Sequence, residues 1–315
     1  MSAPSDSSAA ASSSRSLAHG RALVFAATVF WGTSATLARF VFRDRAVPPF
    51  TAVELRLVIA VSLLGVWLAW RKPAALRVRR EDWGYFIILG LFGVAAVQGT
   101  YYYAIATLGV GLAILLQYVA PALIIGVDLL RGAPARPQVL VAVLAAIAGT
   151  ALLVSGVDRS ARIIPLSDWL VGFGAALAFA FYIVYSKRGL ARYAPETVLF
   201  YTFLIAAAFW SCVTPPARII AAGYDAGIWA MFLALGVFST LVPFACFYVG
   251  LRRLPAAQAS IVATLEPVVA VLSAALFLGE GLRSIQWLGA ALVLGAALLA
   301  GSEEPASVEA QAERV

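Results

Sequence analysis

Residues 258–280 read QASIVATLEPVVAVLSAALFLGE. The apolar run around them, 256–278, is long enough to cross a bilayer, because about 20 residues rising roughly 1.5 Å each span the hydrocarbon. A carboxylate and a proline, Glu266 and Pro267, stand near its middle. Residues 112–134, LAILLQYVAPALIIGVDLLRGAP, echo the stretch, with Pro121 placed 146 positions before Pro267.

That offset extends along the chain. Pro49, Thr51 and Ala60 meet Pro195, Thr197 and Ala206. Phe86, Gly90 and Phe92 meet Phe232, Gly236 and Phe238, and Tyr102 meets Tyr248. Alanines and leucines match by chance, but prolines, a tyrosine and glycines at one offset point to an internal repeat. Composition agrees with a membrane setting. Hydrophobic residues make up 62% of the 315 and charged residues only 12%, whereas soluble chains run near half apolar and a quarter charged. The chain therefore reads as an all-α polytopic membrane protein.

Ten transmembrane helices are expected, at 22–42, 50–70, 83–106, 110–130, 138–154, 169–187, 196–213, 228–251, 256–278 and 285–300. They fall into a first repeat over 21–155 (helices 1–5) and a second over 168–301 (helices 6–10). Residues 1–20, rich in Ser and Ala, read as a disordered cytoplasmic tail, and 302–315 as an acidic cytoplasmic one. Five is an odd number, so the two repeats must lie inverted in the membrane, an arrangement typical of secondary transporters. With the N-terminus inside, fifteen Lys and Arg fall in cytoplasmic segments and six in outside loops. This bias places both termini in the cytoplasm. Seven of the eight tryptophans fall near span ends, as interfacial anchors do; Trp31 does not.

The formal charge of +7 does not imply nucleic acid, because the basic residues lie between apolar spans rather than along one surface. Cys212 and Cys246 fall inside spans and read as small apolar residues.

At this point the sequence resembles the drug/metabolite transporter superfamily, in its EamA-type branch of ten-helix carriers. The resemblance rests on Trp31-Gly32, Arg56, YYYAIATLGVGLAILLQYVAP at 101–121, LEPVVA at 265–270, LGE at 278–280 and QWLGA at 286–290. It covers nearly all of 21–300. Where the family often carries Gly-Glu after helix 4, this chain reads Arg131-Gly132-Ala133-Pro134, so Glu280 has no repeat partner. The resemblance implies alternating-access export of amino acids, related metabolites or toxic compounds across the inner or plasma membrane.

Glu266 is the deepest ionisable group, about 15 Å into its helix. Such groups are costly in hydrocarbon and mark function by default; a neutral acid satisfied by the broken helix is the alternative. Pro267 frees the carbonyl of Ala263, and Pro121 frees that of Gln117. Glu266 is expected to couple transport to protonation or to touch a cationic substrate group. Gln98, Gln117 and Tyr118 are further polar candidates for the pathway. Trp31 reads as an aromatic pathway wall or as packing, and Tyr248, with its repeat partner Tyr102, as pathway or interfacial belt. Arg56, about 9 Å inside helix 2, either anchors a substrate carboxylate, or pairs with an acid on another helix, or snorkels to the outer interface.

A small-molecule substrate, the lipid bilayer and an optional proton are the expected partners, with no cofactor, metal or nucleic acid. Oligomeric state is not set by the sequence. The alternatives are an intramembrane enzyme and a scaffold that does not transport. His19 is the single histidine, so there is no H-E-x-x-H site, and neither a G-x-S-x-G elbow nor a phosphate-binding G-x-x-x-x-G-K-[ST] loop occurs.

Overall fold

The structure, a computed structural model, describes residues 6–43, 47–132, 137–155, 164–278 and 282–301. Among the described residues all regular structure is helical. The principal helices are α1 (Asp6–Arg43), α2 (Pro49–Arg71), α3 (Arg80–Leu108), α4 (Gly111–Leu130) and α5 (Pro137–Val154) in the first half. In the second half they are α6 (Leu166–Arg192), α7 (Pro195–Val213), α8 (Ala226–Arg253), α9 (Ala256–Phe277) and α10 (Ser284–Gly301). Eight of these, α2 to α9, are long and apolar enough to cross a membrane. The apolar part of α10, Ser284–Ala300, is shorter. Large apolar side chains such as Phe92, Leu130, Phe238 and Leu298 are exposed on the outer surface, as they are when lipid rather than water surrounds the protein.

Residues 6–20 differ from the sequence expectation of a structureless tail: they form the first turns of α1. Ala9, Ala10 and Ala11 favour helix intrinsically. Packing also holds this segment, since Leu17 is buried and Gly20 lies against Arg253 and Leu254 at the end of α8. The acidic segment 302–315, and Glu280 with its Gly279, lie outside the described residues.

The same irregularities recur in both halves at the offset of 146. The segments Leu89–Ala95 in α3 and Leu235–Leu241 in α8 are π-helical. Each carries a glycine where another helix comes close. A Cβ on Gly90 would lie 2.7 Å from Ile205, and one on Gly236 would lie 2.6 Å from Ile59. Ile59 and Ile205 are themselves 146 apart. Thus α3 packs on α7 and α8 packs on α2, each helix crossing to the opposite half.

Helices α4 and α9 are each broken by a two-residue turn, at Tyr118-Val119 and Thr264-Leu265. Prolines cause both breaks, since Pro121 and Pro267 have no N–H to continue the ladder. The chain tightens to bonds three residues long, Val119 N to Leu116 O and Leu265 N to Val262 O, both 3.1 Å. Helices α5 and α10 pack side by side along their lengths.

Six of the seven tryptophans expected at span ends are exposed there. Trp210 is the exception. It is 5% exposed and stacks on Phe50 at 5.2 Å, because the start of α2 covers it.

Candidate functional site

The two broken helices bring their polar residues together. Tyr118 sits in the turn of α4, and Glu266 opens the second segment of α9. Tyr118 Oη donates to Glu266 Oε2 at 2.6 Å, a bond between residues from different halves. Tyr118 is 1% exposed, while Glu266 is only partly buried. An O–H donating to a carboxylate at this distance is among the stronger side-chain hydrogen bonds. One turn further along α9, Gly32 of α1 packs on Val269 and Ala270, where a Cβ would come within 2.9 Å of the Ala270 backbone nitrogen. Trp31 is thereby carried to the same region.

Rings connect Trp31 to Tyr118. Trp31 meets Phe244 at 5.1 Å and Phe247 at 5.6 Å. Tyr182 stacks on Phe247 at 6.0 Å and on Tyr248 at 5.6 Å. Phe179 then bridges Tyr182 and Tyr118, each 6.2 Å away. Four helices, α1 and α4 from one half and α6 and α8 from the other, supply this aromatic column. Tyr248 is therefore interior, not interfacial; its hydroxyl accepts from Ser186 Oγ at 3.3 Å.

Arg56 is 4% exposed and points inward, so it does not snorkel. Its Nε donates to Thr240 Oγ1 at 2.9 Å and its Nη2 to the Ser239 carbonyl at 3.4 Å. Both acceptors belong to the π segment of α8. The guanidinium also lies over the Tyr102 ring, 5.3 Å from its centroid, a favourable cation–π position. Arg56 and Glu266 interact electrostatically without forming a direct ion pair among the described residues. Tyr101 is within electrostatic reach of both. Among the described residues the hydrogen bonds to Arg56 and Glu266 thus come from neutral groups, and the two make no direct contact with each other.

The side-chain atoms Gln98 Nε2 and Gln117 Oε1 are buried and make no hydrogen bond among the described residues. Neither is joined to the Tyr118–Glu266 pair through those atoms. Sequence reasoning missed Tyr101, Tyr182, Phe179 and Thr240. Tyr101 was within reach, since it stands beside Tyr102 in the quoted aromatic run; Thr240 had no signal apart from its place at the middle of a span.

Comparisons with known proteins bear on this arrangement. The sequence model of the EamA-like transporter family matches residues 19–155 and 167–302. The threonine/homoserine exporter RhtA of Salmonella typhimurium (strain SL1344) is 29% identical over 270 residues, 84% of this chain and 85% of that protein. RhtA of Escherichia coli (strain K12) is 29% identical over 268 residues, again 84% and 85% of the two chains. The inner membrane transporter YicL of Salmonella typhimurium (strain LT2) is 26% identical over 283 residues, 88% of this chain and 93% of that one. One solved crystal structure has the same fold, with a TM-score of 0.74 at 22% identity over 89% of this chain and 96% of its own.

Proposed function

The chain belongs to the EamA-like transporter family, and from that premise we propose that it is a secondary exporter of small zwitterionic or amphipathic metabolites, amino acids foremost. The observation that carries this reading is an inward-facing guanidinium, Arg56, held by Thr240 and Ser239, and a carboxylate, Glu266, held by Tyr118, that make no direct ion pair with each other among the described residues. A zwitterion presents a carboxylate and an ammonium a few ångströms apart. Arg56 suits the first, because a guanidinium fork matches a carboxylate. Glu266, with Tyr118 and Tyr101 around it, suits the second. The aromatic column is the wall for the apolar part of the substrate. The name borne by RhtA, threonine/homoserine exporter, points to the same class.

The proposed architecture is ten transmembrane helices in two inverted five-helix repeats, in the inner or plasma membrane, with both termini cytoplasmic. Matched π segments and matched proline breaks at one offset support the repeat, and the Lys and Arg bias supports the orientation. Glu266 is the proposed coupling group: it exchanges a proton as water or substrate reaches it.

Counterflow of labelled amino acids into proteoliposomes tests the substrate class. Exchange by wild type that is weakened in Arg56→Gln supports it; no exchange of any amino acid overturns it. Glu266→Gln keeps size and hydrogen bonding but cannot titrate. With coupling, a proton gradient no longer drives net flux in that variant while exchange persists. With direct contact instead, the affinity for amine-bearing substrates falls as well. Wild-type behaviour in both assays removes both roles.

A further inference from the structure

The two ends of the molecule are packed with different chemistry at equivalent positions. One end gathers the connection between α2 and α3 and the first turn of α3 with the corner between α6 and α7. There Asp82 accepts from Tyr193 Oη at 2.5 Å and from Arg192 Nη1 at 3.1 Å. Lys72 pairs with Glu196 at 2.7 Å. Tyr201 Oη donates to the Leu76 carbonyl at 2.6 Å, and Thr197 Oγ1 to that of Ala75 at 2.9 Å. Every one of these contacts joins the first half to the second. Partial burial and the Asp82 carboxylate hold the Tyr193 phenol above its ordinary value, so it stays a donor.

Helix α2, 23 residues long, leads from this end to the other, about 34 Å away. There the corner between α1 and α2 meets the connection between α7 and α8. Val47, Ala52, Leu55, Ile219, Ile228 and Phe232 form one buried apolar cluster. The 146-residue offset equates Ile228 with Asp82, Val47 with Tyr193 and Leu55 with Tyr201. The scaffold is repeated, while at these three positions the side chains have been exchanged, polar for apolar.

We infer that Asp82, Tyr193 and Arg192 form a polar latch that holds the two halves together at the Lys- and Arg-rich end, against an apolar seal at the other. The inference rests on the alternating-access reading. Opening the latch separates a carboxylate from two donors that water can replace. Opening the other end exposes apolar surface, which water does not compensate. The two closed states therefore respond to different changes, and loss of one carboxylate shifts their balance. A hydrogen bond to a charged group is worth enough to change an open-state population by about tenfold.

Distances between spin labels decide the matter, in protein carrying Cys212→Ser and Cys246→Ser. One label pair, Ala74→Cys with Ala191→Cys, spans the latch; another, Pro48→Cys with Ala222→Cys, spans the apolar seal. Asp82→Asn is expected to raise the long-distance population at the latch about tenfold and to shorten the distances at the other end. The double change Asp82→Ile with Tyr193→Val, which installs the apolar pair, is expected to restore the short latch distance. An unchanged latch distribution in Asp82→Asn overturns the inference. If that variant does not fold, Tyr193→Phe removes the same hydrogen bond, and an unchanged distribution there is equally decisive. Counterflow on the same samples separates the two levels. Flux with unmoved distances sinks the latch and leaves transport standing, whereas moved distances without flux in wild type do the reverse.

Discussion

Tyr118 donates the hydrogen bond that Glu266 accepts across the two halves, and substitutions at Tyr118 and Arg56 test the site. Tyr118→Phe keeps the ring against Phe179 and removes only the hydroxyl that donates to Glu266. Hydrogen bonds to charged groups are worth roughly 1.5–3 kcal/mol. Half-saturation for amine-bearing substrates is therefore expected to change by about tenfold or more in counterflow, with the fold intact by size exclusion. Arg56→Lys keeps the charge but loses the planar fork that reaches Thr240 and Ser239 together. A rise of about tenfold in half-saturation is expected, and Arg56→Gln should be worse than Arg56→Lys; equal values for the two would show that charge plays no part. Glu266 and Arg56 were visible in the sequence because charge is rare inside apolar spans. Whether Arg56 turned inward was not visible, since a snorkelling arginine looks the same on paper. Tyr101 and Thr240 were hidden for a related reason: an aromatic ring or hydroxyl in an apolar run carries no signal until its neighbours are known.

Among the elements, the two π segments are where the halves interlock, and each does so through a glycine. Gly236→Ala places a methyl 2.6 Å from Ile59, which must shift. Overpacking of this kind costs about 1–3 kcal/mol, so a lower midpoint is expected in a thermal unfolding series in detergent. Gly126→Ala is the control: nothing lies within 4 Å of its Cβ position, and no loss is expected. The breaks in α4 and α9 could be read from Pro121 and Pro267, because a missing N–H has a fixed local consequence. The π segments could not. They arise where one helix accommodates another, and neither hydropathy nor period distinguishes a five-residue turn from a four-residue one. The helical start of α1 was also illegible, since its burial depends on the far end of α8.

For the molecule as a whole, the repeat was the most legible property, because a single offset recurs in residues that rarely match by chance. The crossing of α3 onto α7 and of α8 onto α2 was not, as no sequence pattern reports which half a helix packs on. On the proposed topology, cysteines at positions 7 and 307, in place of Ser7 and Ser307, should react with impermeant maleimide only after the membrane is opened. Labelling of either from the outside would overturn that topology. The site also has a consequence for ancestry. Arg56 corresponds to Thr202 under the offset, and Glu266 to Ala120. A homodimer of the amino-terminal half would thus bring two guanidinium groups and no acid to its centre. A homodimer of the carboxy-terminal half would bring two carboxylates and no base. Only a heterodimer, or the two joined in one polypeptide, supplies one of each. On the proposed site, joining the two halves in one polypeptide fixes their stoichiometry at one to one, and with it one guanidinium and one carboxylate per molecule.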